Sequence, residues 1–312
     1  MALFCYPKTV AANNVFMRLS DALVGYWLEK RLHMSETTIP GYERTFARLI
    51  DFLGDVDIEN VKANDLRRFL TWLPQRYKLS KRTVHDAWIP LSSLWTWAET
   101  ELEIPHIMRG KVKQPTFTRR QIDPFTKEDV QRIVNAMAAD GRGTRPTVLR
   151  DRAIVFVLLD SGLRASELCD LTVGDCEVER GRLHVAHGKM DKERFVTVGN
   201  RTRRALWRYL VTRSDVRPAD PLFLTSRGTG LQRNSLSQML QRIGDRAGVP
   251  HTHAHRFRHT FAITFLRNGG DLLTLQQLLG HESLAMVKNY VKLAGADIDR
   301  AARHSPADGW HL

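Results

Sequence analysis

Four short segments of the chain place a cation or a proton-transfer group near a glycine or at the end of a predicted helix. They are SGLRASEL at 161–168, HGKMDKERFV at 187–196, HAHRFRHT at 253–260 and LGHESLAMVKNY at 279–290. Arginine and lysine in such places bind anions, and histidine, lysine and tyrosine can move protons or act as nucleophiles. Each segment alone is a weak signal, so the information lies in their order and separation.

In this order and at these separations, the four segments closely resemble the tyrosine recombinase (phage integrase) family, and within it the XerC and XerD type of site-specific recombinase. The resemblance extends over most of the chain, from about residue 18 to residue 295. Its most specific strings are SGLRASEL and RHTFA, and the nine-residue step from His281 to Tyr290 matches the family spacing. By position, the resemblance implies a catalytic set of Arg164, Lys189, His255, Arg258, His281 and Tyr290.

The resemblance implies that these residues transfer a DNA phosphodiester to Tyr290, and their chemistry suits that transfer. Negative charge gathers on the non-bridging phosphate oxygens as the new bond forms, and the guanidinium groups of Arg164 and Arg258 can each meet two such oxygens. A tyrosine hydroxyl, with a pKa of about 10, is a poor nucleophile at neutral pH unless a base takes its proton. His255 is the candidate base.

The departing 5′-oxygen needs a proton, and Lys189 at the tip of a predicted hairpin is the candidate general acid. Lys192 stays open as a substitute, because Met190 stands where many relatives have a glycine after the lysine. His281 is expected to orient or neutralise the phosphate. Glu167, one helical turn after Arg164, is expected to hold that arginine in place.

No metal ion and no cofactor are expected in this chemistry. His251, His253 and His255 alternate along the chain, but no neighbouring cysteine or carboxylate completes a tetrahedral zinc site. The arginines and the lysine already supply the positive charge that a divalent ion would bring. The energy of the broken bond would be stored in the link to tyrosine, so ATP is not needed either.

The composition points to a polyanionic partner. Lysine and arginine total 47 against 34 acidic residues in 312, giving a net charge of +13 and a pI near 10.0, and most of the excess lies after residue 117. The odd count of three cysteines argues against a disulfide framework and favours a reducing cytoplasm. The longest apolar run, AIVFVLL at 153–159, is too short to span a bilayer, so no membrane or secretory role is expected.

The elements that must position the catalytic set are predicted to be mostly helical. Apolar spacing predicts N-terminal helices at 19–32, 37–53, 63–73 and 80–101, the last with a kink or a late start at Pro90. Further helices are predicted from a Thr126 cap and at 147–160, 200–212, 233–247, 255–268, 271–279 and 283–292, with strands at 182–188 and 193–199. The expected fold is therefore mainly α with a small β-sheet or hairpin.

The predicted organisation is an all-α domain followed by an α+β catalytic domain. The boundaries are an N-terminal segment 1–17, a helical, SAM-like core-binding domain 18–105, a basic linker 106–121, a catalytic domain 122–295 and a tail 296–312 that could contact a neighbouring protomer. The stretch 106–124 is predicted to be extended, bounded by Pro105 and Pro124 and with five lysines or arginines before its first acidic residue. Four of these are expected to contact DNA phosphates: Lys111, Lys113, Arg119 and Arg120.

The resemblance implies site-specific recombination of double-stranded DNA in the cytoplasm of a bacterium or phage host, at the nucleoid. A monomer or weak dimer in solution would close as a C-shaped clamp on DNA, and four protomers would assemble on two sites, with accessory proteins possible. They would exchange strands through a 3′-phosphotyrosyl intermediate and a Holliday junction. Two alternatives stay open: strand nicking and closing of the type IB topoisomerase kind, and a catalytically silent DNA-binding protein on the same fold.

Overall fold

A computed structural model of the protein describes residues 17–118, 123–138, 145–186, 193–280 and 290. The chain divides into two compact units, Met1–Arg120 and Gln121–Leu312. The predicted N-terminal segment and the tail after 295 lie outside the described residues, apart from Met17. So do four of the predicted site residues: Lys189, His281, Arg119 and Arg120.

The N-terminal unit is built from helices. They are α1 (Leu19–Lys30), α2 (Ile39–Leu53), α3 (Ala63–Tyr77) and α4 (Lys81–Glu101), with short 3₁₀ turns at Arg31–His33 and Ile58–Asn60. Ser80 begins α4 by accepting a hydrogen bond from the Thr83 backbone N–H, and Gly54 ends α2 at a φ of 75°. Aromatic side chains fill the core, where Tyr26 packs edge-on against both Phe46 and Trp97.

Helix α4 runs without interruption from Lys81 to Glu101 and contains Pro90 in its interior. A late start at the proline, which the sequence left open, is therefore wrong. The apolar face predicted for this helix is buried, with Leu91 and Trp95 both fully inaccessible to solvent. Burial of this face supplies the free energy that offsets the backbone hydrogen bond lost at the proline.

Residues 106–112 differ from the extended linker that the sequence predicts. The Nδ1 atom of His106 accepts hydrogen bonds from the backbone N–H groups of Met108 and Arg109, which closes a turn. Met108 is fully buried and Val112 nearly so, both within the core of the N-terminal helices. The apolar side chains Ile107, Met108 and Val112 therefore fold this basic stretch onto the N-terminal unit.

The C-terminal unit combines helices with one small sheet. The helices are α5 (Lys127–Ala138), α6 (Pro146–Ser161), α7 (Ala165–Asp170), α8 (Asn200–Leu210), α9 (Arg233–Ala247), α10 (Ala254–Arg267) and α11 (Leu272–Leu279). The strands β1 (Cys176–Glu177), β2 (Arg182–Val185) and β3 (Arg194–Thr197) form an antiparallel sheet in the order β1-β2-β3. These elements confirm the predicted fold class, mainly α with a small β-sheet.

Helix α6 runs through the middle of the C-terminal unit, packed against α8 and α10. Its apolar run leaves Ile154, Val155 and Leu158 with no exposed surface, and Leu183 and Val196 of the sheet face the same core. Among the residues that the structure describes, no helix has the length and apolar character needed to cross a membrane.

Candidate active site

Arg258 is buried on the second turn of α10, with 3% of its surface exposed. The helix begins after His253, whose side chain accepts a hydrogen bond from the Arg256 backbone N–H. The guanidinium of Arg258 donates to the carbonyl oxygen of Gly162 at 2.8 Å and to that of Leu279 at 2.7 Å. Burial, together with the charge of nearby Arg164, lowers the pKa of Arg258 to about 10, which leaves it cationic at neutral pH.

Arg164 lies immediately before α7 and is held by Glu167. The Arg164 backbone N–H donates to Oε2 of Glu167 at 2.8 Å, and its Nη1 atom donates to Oε1 at 2.6 Å. The Glu167 side chain is only 2% exposed, whereas that of Arg164 is 27% exposed. Burial alone would raise the pKa of Glu167, but hydrogen bonds and charges from Arg194 and Arg164 bring it below its usual value. Glu167 is therefore an anion. Its contacts with Arg164 leave part of the Arg164 side chain open to solvent.

The end of α11 binds three arginines through three consecutive carbonyl groups. Leu278 accepts from Nε of Arg194 at 2.8 Å, Leu279 accepts from Arg258, and Gly280 accepts from Nη2 of Arg164 at 3.0 Å. The last carbonyls of a helix have no partner within the helix and carry the negative end of its dipole. The end of α11 therefore draws the three positive side chains into one region.

Tyr290 lies in this same region and is 5% exposed. Burial raises the pKa of its hydroxyl above the usual value, while the charge and hydrogen bond of Arg258 and the charge of Arg164 act in the opposite direction. The hydroxyl is therefore protonated at neutral pH and lies beside a cation that would stabilise its anion. A base is needed to make it a nucleophile.

Two histidines on α10 connect Tyr290 with the start of that helix. The ring of His259 lies 5.0 Å from the ring of Tyr290, centroid to centroid, and 5.4 Å from the ring of His255. The Nδ1 atom of His259 is buried and has no hydrogen-bond partner among the described residues. Burial lowers the pKa of both histidines, aided by the charge of Arg258 for His255 and of His255 for His259. Both rings are therefore neutral at pH 7 and able to accept a proton.

The structure thus brings together Arg164, Glu167, Arg258 and Tyr290, with His255 reaching this group through His259. Lys111 and Lys113 are exposed residues of the N-terminal unit. In the part of the chain that the structure describes, no three histidine, cysteine or acidic side chains are grouped so that they could hold a metal ion.

The sequence missed two residues of this site, Arg194 and His259. Both lie inside segments that attracted attention for other residues, HGKMDKERFV and HAHRFRHT. The available signal for Arg194 was a third basic side chain in its segment, at the start of a predicted strand. For His259 it was a second histidine one helical turn after His255, on the same face of a predicted helix.

Gly162→Ala is expected to destabilise the C-terminal unit and to displace Arg258. Gly162 has a φ of +60°, and a Cβ atom there would lie 2.5 Å from the ring of Phe261. The left-handed backbone costs about 1 to 2 kcal/mol for alanine, and an overpacked contact typically adds about 1 to 3 kcal/mol. Chemical denaturation measures this loss in the free energy of unfolding.

Gly248→Ala is the matched control, because Gly248 has a φ of +64° and open space where the Cβ atom would be placed. This control should show the backbone cost alone. Equal losses of stability in the two variants would mean that the contact between residue 162 and Phe261 does not constrain the site.

Comparisons with known proteins found matches over most of the chain. Residues 124–296 match the model of the phage integrase family, and residues 28–103 match its N-terminal SAM-like domain. The tyrosine recombinase XerC of Pelobacter propionicus is 31% identical over 274 residues, which cover 86% of this chain and 88% of that protein. The tyrosine recombinase XerD of Mycobacterium leprae is 31% identical over 292 residues, covering 87% and 92%.

Solved structures share the fold. The Tn1549 transposon integrase in complex with a circular intermediate DNA superposes with a TM-score of 0.76 at 21% identity, covering 91% of this chain and 99% of that one. A lambda integrase dimer bound to a core site gives a TM-score of 0.70 at 17% identity, covering 86% and 97%. The family match spans more than half of the chain, and these two relatives are 31% identical over 86% and 87% of it. The chain therefore belongs to the phage integrase family of tyrosine recombinases.

Proposed function

We propose that this protein cuts and rejoins double-stranded DNA at specific sites, with Tyr290 as the nucleophile. The observation that carries the proposal is the meeting of Arg164, Arg258 and Tyr290 at the end of α11. A phosphate placed on the open face of Arg164 would lie near two guanidinium groups and one tyrosine hydroxyl. That arrangement suits transfer of a phosphodiester to the tyrosine.

In the proposed reaction, the Tyr290 oxygen attacks the DNA phosphorus and the bond from phosphorus to the 5′-oxygen breaks. The hydroxyl proton passes to His255 by way of the His259 ring, which contacts both Tyr290 and His255, and Lys189 gives a proton to the departing 5′-oxygen. The products are a 3′-phosphotyrosyl link and a free 5′-hydroxyl. His281 helps to orient the phosphate. Attack by a 5′-hydroxyl from the other duplex reverses these steps, so one phosphodiester is made for each one broken.

The partners we propose are two DNA recombination sites and three further copies of this chain. The integrase structures to which the chain is similar contain DNA, and lambda integrase is seen as a dimer on its core site. Within the proposed clamp, the N-terminal unit is the core-binding domain and the C-terminal unit is the catalytic domain. The basic residues of the predicted linker, Lys111, Lys113, Arg119 and Arg120, contact phosphates. Strand exchange passes through a Holliday junction at the nucleoid.

Trapping of a covalent adduct tests the proposal. Duplexes with a randomised central sequence and one nick are incubated with the full-length protein, because loss of the short strand next to the nick prevents rejoining. We expect adducts that resist SDS, a shared sequence among the trapped duplexes, and a phosphotyrosine peptide that contains Tyr290. Relaxation of plasmids without any shared sequence would instead favour a topoisomerase. Binding without adducts would favour a silent DNA-binding protein.

The role of Lys189 can be tested with DNA in which sulfur replaces the bridging 5′-oxygen at the cleavage site. A departing thiolate is far more stable than an alkoxide and needs no proton. Lys189→Ala is therefore expected to be nearly inactive on ordinary DNA and close to the unmutated rate on the sulfur substrate. Single-turnover cleavage measures both rates. Rescue of Lys192→Ala, but not of Lys189→Ala, would assign the proton to Lys192.

A further inference from the structure

Arg194 makes a charged contact that the reaction proposed above does not use. Its Nη1 atom donates to Oε1 of Glu167 at 3.0 Å, and its Nη2 atom donates to Oε2 at 2.8 Å. Its Nε atom donates to the carbonyl of Leu278 at 2.8 Å. The side chain is 10% exposed. Arg194 is therefore turned inward on all three nitrogens, and little of it can meet a DNA phosphate.

Each oxygen of Glu167 is shared by two arginines. Oε1 accepts from Nη1 of both Arg164 and Arg194, and Oε2 accepts from the Arg164 backbone N–H and from Nη2 of Arg194. The bidentate contact with Arg194 fixes the plane of the carboxylate, because two parallel hydrogen bonds allow little rotation. The position of the Arg164 guanidinium depends on that plane, since its Nη1 atom bonds to one edge of the carboxylate.

The charges of this group also show why one arginine would not suffice. If Arg164 were the only partner of Glu167, the carboxylate would neutralise the positive charge of Arg164. That positive charge is the one that would attract the phosphate. Arg194 supplies a second positive charge and two hydrogen bonds to the buried carboxylate of Glu167. The group formed by Arg164, Glu167 and Arg194 therefore keeps a net positive charge. The part of that charge that reaches solvent is on Arg164, which is 27% exposed against 10% for Arg194.

Arg194 also joins separate elements of the site. It is the first residue of β3, Glu167 is on α7, and Leu278 is in the last turn of α11. Gly280, which ends α11 at a φ of +61°, leaves room for this contact, since a Cβ atom there would lie 3.0 Å from Nη1 of Arg194. In the sequence, Arg194 follows the candidate general acid Lys189 by five residues.

We propose that Arg194 is a positioning residue that holds Arg164 in place for the phosphate through Glu167 and ties β3 to the end of α11. The proposal rests on the function proposed above. It assigns Arg194 no contact with DNA. Because small displacements of a group that binds the transition state slow a reaction strongly, loss of Arg194 should act on the rate of cleavage rather than on DNA binding.

The first test compares Arg194→Met with Arg150→Met. Arg150 is a matched control, since it is 11% exposed, pairs with Asp151 and donates to the carbonyl of Leu224, away from Glu167. At saturating DNA, Arg194→Met should slow adduct formation about 10- to 100-fold, with little change in DNA affinity. Arg150→Met should keep the unmutated rate. Arg194→Lys, which keeps the charge but loses the bidentate geometry, should recover only part of the rate.

A second test asks whether the effect passes through Glu167. If it does, the double variant Arg194→Met with Glu167→Gln should be no slower than the slower of the two single variants. Multiplication of the two rate losses would instead mean that the residues act independently, and would overturn the proposal.

A third test uses DNA in which one non-bridging oxygen is replaced by a neutral methyl group, as the two separate stereoisomers. The isomer on which Arg164→Ala loses least activity identifies the oxygen that faces Arg164. The penalty for Arg194→Met should shrink on that same isomer and persist on the other, whereas a general folding defect would slow both equally. Equal penalties on the two isomers would overturn the proposal.

The outcomes separate this proposal from the function on which it rests. If the unmutated protein forms no covalent adduct with any nicked duplex, the proposed function fails. If the unmutated protein forms adducts and Arg194→Met forms them as fast as Arg150→Met, the function stands and the assignment of Arg194 fails.

Discussion

Tyr290→Phe is expected to abolish covalent adducts with DNA while DNA binding survives. The change removes one oxygen and leaves the ring packed among Ala262, Ile263, Leu275 and Leu279. The contact of the ring with His259 does not depend on that oxygen. Loss of a hydrogen bond such as the one with Arg258 typically costs about 1 kcal/mol of stability. Gel electrophoresis in SDS with labelled nicked DNA measures adducts, and fluorescence anisotropy measures binding.

Tyr209→Phe provides the control for this experiment. Tyr209 is also buried in the C-terminal unit, 3% exposed, and its hydroxyl accepts a hydrogen bond from the Leu224 backbone N–H. The Tyr209 variant therefore loses a buried hydroxyl with a partner but should keep forming adducts. Adducts that persist in Tyr290→Phe would place the nucleophile on another residue.

Arg258→Ala is expected to slow cleavage by orders of magnitude, with a much smaller loss of affinity for DNA. Removing one donor that stabilises charge in a transition state costs about 10² to 10³ in rate. Arg258 also donates hydrogen bonds to the carbonyl oxygens of Gly162 and Leu279. The variant would leave these two buried acceptors without a donor, at a cost of about 1 to 3 kcal/mol of stability each. Single-turnover rates at saturating DNA separate the chemical step from binding.

Two further variants show whether the loss reflects chemistry or folding. Arg164→Ala removes a more exposed arginine at less cost to the fold, and it should also slow cleavage by orders of magnitude. Arg256→Ala removes an arginine of the same helix that donates to the carbonyls of Asp123 and Pro250, and it should leave the rate nearly unchanged. If Arg258→Ala lost rate and affinity in equal proportion, the residue would be an anchor for DNA rather than a catalytic group.

Most of the described helices and two of the three described strands could be predicted from the sequence because their signals are local, whereas the short elements α7 and β1 were not predicted. Helix α9 was predicted at 233–247 and is found at Arg233–Ala247, where apolar residues recur at helical spacing and Gly248 ends the helix in the left-handed region. The strands of the hairpin follow from alternation of apolar and polar residues beside glycine. The extended conformation predicted for the linker was wrong over residues 106–112 for a similar local reason, since Met108 and Val112 were outnumbered by basic residues in the predicted linker.

The internal contacts of the site could not be predicted in the same way because they join distant parts of the chain. Arg194 lies 27 residues from Glu167 and 84 from Leu278. No periodicity shows which of several basic residues in HGKMDKERFV will meet a carboxylate on another element. Arg164 and Arg258 were assigned to the site because they match the pattern of a family, and that match says nothing about which backbone carbonyls hold them.

The binding of three guanidinium groups by one helix end has a consequence for control of the enzyme. Leu278, Leu279 and Gly280 are consecutive, so a movement of α11 disturbs all three contacts at once. The three arginines are thus expected to be either all in position or all displaced. The rate of cleavage should therefore change abruptly, rather than gradually, as the end of α11 moves. A displacement of this one helix end would therefore remove three positive charges from the site in a single step.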